Sequence, residues 1–175
     1  MQPYFFPYIG YFQLLYSVDA FILYDQIQFT KKGWINRNKI RLDNKIINIS
    51  IPLTKGSSTL NINQRYISEL WPKHRQKIIN QIESSYHKAE YFNDIFQLII
   101  KILNYNESRL DRFIINSIIE IKDYLDINTK IIISSELEKN FVMDKGENRV
   151  IDLVKKINLT FLSIVFGIKF LFLIL

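Results

Sequence analysis

The chain has 175 residues, 48% of them apolar and 14% aromatic, which suits one folded domain and excludes a disordered chain. It has no cysteine and two histidines, so disulfides, thiol catalysis and cysteine-ligated metal are excluded and a histidine-rich metal centre is not expected. A net charge of +6 suits nucleic acid, anionic lipid or a phosphorylated substrate. The basic residues are scattered apart from Lys31-Lys32 and the Lys73 to Lys77 turn, which favours a bland basic surface or a small anion over a nucleic-acid groove.

The opening stretch, Met1 to Tyr16, lacks the basic flank, apolar core and small-residue cleavage site of a secretory signal. Pro3 and Pro7 forbid a helix across it and push Gln2 and Phe6 towards extended conformations. Helical spacing begins with Tyr8, Tyr11, Phe12 and Leu15, so a stiff Pro-aromatic loop should run into a helix starting near Tyr8 to Gly10. Gly10 permits close approach to the backbone, and free N–H groups at a helix start suit an anion.

Ala20 to Gln28 reads as a strand with Tyr24, Asp25 and Gln28 at or near its C-terminal end, where open α/β sheets bind ligands. Asp25 has the chemistry to accept from a sugar hydroxyl, act as a general base or hold a cation; a solvated strand-end carboxylate is the plain alternative. Thr30 to Arg41 is the richest polar segment: Lys31 and Lys32 bring charge, Trp34 an aromatic face, Asn36 and Asn38 amides, and Arg37 a planar fork for phosphate. Strand alternation would set Trp34, Asn36 and Asn38 on one face, and Trp34 as a core plug is the alternative. A turn at Leu42 to Lys45 and a strand over Ile46 to Leu53 predict a hairpin from Asn38 to Leu53. Thr54 to Asn63 reads as a loop without P-loop spacing.

Three helices follow, one capped by Ser68 and running to Ser84, one over Tyr91 to Leu103 and one over Leu110 to Leu125. His74 and His87 have no partnered acid nearby in sequence. Lys130 to Ser134 is a short buried strand, and Lys145 to Arg149 opens a last helix through Ile157. Leu159 to Leu175 is nearly all apolar, with Lys169 inside it, short for a spanning helix; the charge argues against a membrane-anchoring tail, and a shifted reading frame or a truncated gene is the favoured account of such an ending.

Met1 to Tyr16, Val18-Asp19, Tyr24-Asp25 and Lys31-Lys32-Gly33-Trp34-Ile35-Asn36-Arg37-Asn38 closely resemble the WbqC-like family of bacterial surface-polysaccharide gene clusters, to about Lys156. The resemblance implies a cytoplasmic protein of O-antigen, lipopolysaccharide or related glycan biosynthesis that modifies a sugar or its nucleotide carrier. Family members begin with a short apolar strand leading into Gln-Pro, so Met1 reads as an internal methionine and that central strand as missing; a true start without such a strand is the alternative. Tyr8-Ile9-Gly10-Tyr11 is similar to the His-x-Gly-His corner of the nucleotidyltransferase superfamily, with tyrosine for both histidines, and Ser134-Ser135 is similar to the Ser-Ser of its second motif.

The expected fold is α/β: a Rossmann-like, mostly parallel sheet over residues 1–158 with a helical insertion at about 65–127, incomplete at both ends, then an apolar tail at 159–175. Asp25 is the catalytic candidate. Gln2, Tyr8, Gly10, Tyr11, Lys32, Trp34, Asn36 and Arg37 are the ligand-binding candidates, joined by Glu147 and Arg149 because the family carries a polar segment there. No cofactor is specified. The expected partner is a phosphorylated sugar or nucleotide-linked small molecule. The function classes, in order, are a transferase on a nucleotide- or lipid-linked sugar, a non-enzymatic subunit of a glycan assembly complex, and a nucleic-acid module. A truncated, nonfunctional fragment cuts across all three.

Overall fold

A computed structural model of the protein describes residues 1–42, 45–137, 161–166 and 169–174. Helix α1 (Ile9–Tyr16) starts two residues after Pro7, where the proline restriction ends, and buries Tyr11, Phe12 and Leu15. Its C-terminal end is tied down from across the fold: Thr129 Oγ1 lies 2.6 Å from Leu15 O and 2.9 Å from Val18 O.

Strand β1 (Ala20–Leu23) follows and pairs in parallel with β4 (Lys130–Ile133), from Ala20 opposite Lys130 to Leu23 opposite Ile133. Met1 occupies the other edge of β1. Its amine donates to Ile22 O (2.8 Å) and its carbonyl accepts from Tyr24 N (2.7 Å), the two bonds of a parallel bridge. Met1, β1 and β4 therefore run side by side in one direction, and their C-terminal ends share one edge.

The strand expected to reach Gln28 stops at Leu23. Asp25 N turns to Ser134 Oγ (3.2 Å), and the chain then runs against residues 60–63 through Asn63 N to Asp25 O (3.1 Å) and Ile62 N to Ile27 O (2.9 Å). Those competing partners end the sheet pairing.

The expected hairpin is present as β2 (Arg37–Leu42) and β3 (Lys45–Ser50), antiparallel from Arg37 opposite Ser50 to Leu42 opposite Lys45. The expected helices are present as α2 (Trp71–Tyr86), α3 (Phe92–Leu103) and α4 (Leu110–Tyr124). Ser68 stands just before α2 rather than at its N-cap, which is Leu70; the Ser68 hydroxyl accepts from Leu70 N at 3.3 Å and its carbonyl from Trp71 N at 2.9 Å. Pro72 lies in the first turn, where its missing N–H costs nothing.

Helix α4 is the centre of the core, with Leu110, Phe113, Ile114 and Ile118 fully buried and Trp71 packed edge-on to Phe113 at 5.4 Å. Each such side chain contributes about 1.5–3 kcal/mol through burial. The apolar stripes at helical spacing are core, as their periodicity implies.

Helix α5 (Ser134–Leu137) follows β4 directly. Within the apolar tail, β5 (Phe161–Phe166) and β6 (Lys169–Ile174) pair antiparallel. No helix among the described residues is long and apolar enough to cross a membrane. The fold is mixed α/β. The expected mostly parallel sheet is represented by the β1–β4 pair and the Met1 bridge, since the other two sheets among the described residues are antiparallel hairpins.

Candidate functional site

Asp25 lies at the shared C-terminal edge, where sheet direction places it, but it is fully buried rather than solvated. Its Oδ1 accepts from Ser134 Oγ (2.7 Å) and from Ser135 N (3.0 Å), so the carboxylate seats the start of α5. Its Oδ2 is buried without a hydrogen-bond partner among the described residues, a condition that buried carboxylates seldom tolerate without a reason.

Close to this centre stands a second buried carboxylate, Asp111, which the sequence reading did not single out. Arg109 donates to it through Nε (3.1 Å) and NH2 (2.7 Å), and Arg112 Nε lies 3.8 Å away. Arg112 also reaches Glu136 on α5 at 2.8 Å. The Asp111 hydrogen bond raises the Arg109 pKa above its ordinary value, with the charges of Asp111 and Asp25 adding to it and burial opposing it. The local signal was available: Arg109 and Asp111 open a helix, and Ser134 closes a strand running parallel to β1.

The opening loop reaches this edge from Met1. Gln2 accepts from the Tyr4 hydroxyl through Oε1 (3.1 Å) and from the Tyr11 hydroxyl through its carbonyl (3.2 Å). Tyr11, expected at the ligand, is instead core: it is 1% exposed, and burial, with the nearby Tyr4, pushes its pKa well above the ordinary tyrosine value. It points inward because it shares the apolar stripe with Phe12 and Leu15. Tyr8 is 77% exposed and lays its ring over Gly10, where a Cβ would collide with it. The close approach that Gly10 permits is therefore taken by Tyr8, a side chain free to swing aside.

Residues 31–36 form turns rather than a strand, so the expected alternation from Trp34 to Asn38 does not hold. Ile35, not Trp34, is the core plug, at 1% exposure against 47% for Trp34. Phe5 N donates to Ile35 O at 3.0 Å and binds this turn to the opening loop. Two of the polar side chains expected to face ligand, Asn36 and Arg37, serve the backbone instead, and Asn38 beside them does the same. Asn36 Nδ2 donates to Ile51 O (2.8 Å), Asn38 Nδ2 to Phe5 O (3.1 Å) and Phe6 O, and Arg37 to Gly33 O (2.7 Å) and Lys32 O. A tight polar turn leaves carbonyls unpaired, and these are the nearest donors.

What faces outward is Trp34, with the Arg37 guanidinium carbon 5.4 Å and Lys39 Nζ 5.2 Å from its ring centroid. Lys32 is exposed beside it in sequence. An aromatic face edged by cations can hold a ring and a phosphate together. Arg65, also unforeseen, is 6% exposed and braces the 54–63 loop through Thr54 O (3.0 Å) and Ser57 O (3.4 Å). Glu147 and Arg149 lie outside the described residues.

The structure thus divides the candidates into a buried Asp25–Ser134–Ser135 centre and an exposed Trp34–Lys32–Lys39 corner, joined by the opening loop. Both lie within residues 2–167, over which the chain matches the WbqC-like protein family, and the chain belongs to that family. It is similar to the uncharacterized protein Rv1507c of Mycobacterium tuberculosis, at 31% identity over 141 residues, covering 79% of this chain and 60% of that protein. The chain thus spans less than two thirds of that relative's length. No solved structure matches it significantly.

Proposed function

We propose that the chain is a cytoplasmic transferase of surface-polysaccharide biosynthesis, O-antigen or lipopolysaccharide included, acting on a nucleotide- or lipid-linked sugar. The observation that carries this reading is Trp34, half exposed on a turn braced from within and edged by Arg37 and Lys39. Trp34 takes a sugar or base ring, Lys32 and Lys39 take the phosphate, and Arg37 holds the turn in shape. Asp25 is the acid–base candidate, supported by its place at the end of parallel strands and by the unpaired Oδ2. A Rossmann-like sheet belongs to this reading, and the parallel bridge at Met1 supports it.

The second reading, a non-enzymatic subunit of a glycan assembly complex, draws support from the complete burial of Asp25. Titration calorimetry with nucleotide sugars and sugar phosphates separates the outcomes. Saturable binding lost in Trp34→Ala and Lys32→Ala, with their melting curves unchanged, supports the corner as the binding site. Binding without product formation on prolonged incubation with acceptor sugars favours the subunit. Binding that survives both substitutions removes the corner.

A further inference from the structure

A cavity of about 420 Å³ lies where the β2–β3 hairpin meets α2 and α3, within the size range of small-molecule sites. Ile40, Ile49, Ile82, Ile95, Phe96 and Ile99 make its walls. Phe6 also lines it, and does so from a backbone φ of +49°, a left-handed conformation that an aromatic residue rarely adopts. Asn38 holds that conformation by donating to the carbonyls of Phe5 and Phe6. A strained residue kept in place by a dedicated side chain, at the wall of an apolar cavity, is the pattern of a ligand site rather than of a packing defect.

We propose that this cavity receives the hydrocarbon chain of a lipid phosphate, so that the sugar carried at the Trp34 corner is lipid-linked. This deepens the transferase reading and rests on it. The walls are mostly apolar, and the Asn38 amide and the Tyr86 hydroxyl are already engaged by backbone groups, so little is left to orient a base or a sugar, whereas a chain of methylenes needs no polar partner. Among the described residues Lys39 is the cation of the lining, and it also lies over Trp34, with Arg37 on the same ring. Glu90, exposed on the α2–α3 connection, is the one acidic residue of the lining among the described residues. An apolar tail beside a cationic and aromatic corner matches an amphiphile with an anionic head.

The test uses the full chain and hexyl, octyl and decyl phosphate below their micelle concentrations, with inorganic phosphate and a nucleotide sugar as further arms, read by calorimetry and Trp fluorescence. Affinity should rise about fourfold for each methylene that enters the cavity. Ile95→Lys, at a half-buried position, should flatten that rise, and Lys39→Glu should weaken every alkyl phosphate by a common factor. Because the chain-length series needs no substitution, it decides even if a variant misfolds. Affinity independent of chain length overturns the proposal. If the nucleotide sugar still binds in a Trp34-dependent manner, the transferase reading survives with a nucleotide-linked substrate; if it too fails, both fall. Failure of every alkyl phosphate together with a dimer in solution that Ile95→Lys splits would assign the cavity face to a second copy of the chain, also against the proposal.

Discussion

In a chain that begins at Met1, the amine of this residue makes stability depend on pH in a defined direction. Folding places it against β1, donating to Ile22 O, and burial lowers its pKa from 8.0 to about 5. Between those values the unfolded amine binds a proton that the folded one does not, so stability rises with pH across the window and is level above it. Three pKa units correspond to about 4 kcal/mol in full, and to about 2 kcal/mol at pH 6.5. The perturbation is N-terminal acetylation, which removes the charge and keeps an N–H to donate. Urea unfolding of the free and acetylated chains should agree at pH 8.5 and diverge as pH falls, the free chain being less stable by about 2 kcal/mol at pH 6.5. Other titrating groups cancel in the comparison. Superimposable profiles from pH 5.5 to 8.5 would refute the burial of this amine.

Arg37→Ala should cost about 2 kcal/mol in urea unfolding, because two carbonyls of the turn lose a charged donor; an unchanged midpoint would show that the turn holds without it. Ile35→Ala should cost about 2–4 kcal/mol, as expected for a buried isoleucine, while Trp34→Ala should stay within about 1 kcal/mol. The reverse order would exchange their places. Ser134→Ala leaves the Asp25 carboxylate without its hydroxyl donor and should cost about 1–3 kcal/mol, and Asp25→Asn combined with Ser134→Ala should cost less than the sum of the two single changes. Additive costs would mean that the two side chains do not interact.

Much of the architecture was written locally in the chain. The three long helices and the hairpin follow from apolar periodicity and turn residues, signals that lie within a few positions of each other. The start of α1 was fixed by Pro7, and the strand at Lys130 by its isoleucines. What was not legible depends on distant partners. Nothing near Asp25 indicates that Ser134 will take its Oδ1, and without that knowledge the β1 strand looks five residues longer than it is. Trp34 and Ile35 are both apolar neighbours in a turn, and the tie that fixes this turn to the opening loop, Phe5 N to Ile35 O, comes from thirty residues away. Arg37 and Asn36 have the chemistry of ligand clamps, but the same donors suit unpaired carbonyls, and the fold placed such carbonyls within reach.

The Asp25–Ser134 bond also says when the buried centre comes into being. Its two residues are 109 positions apart, and closing a loop of that length costs about 4 kcal/mol in chain entropy before any contact offsets it. The hairpin and the helices between them make local contacts and can form first, whereas parallel pairing across such a distance is slow. The centre is thus assembled late, and a growing chain acquires it only after β4 has left the ribosome.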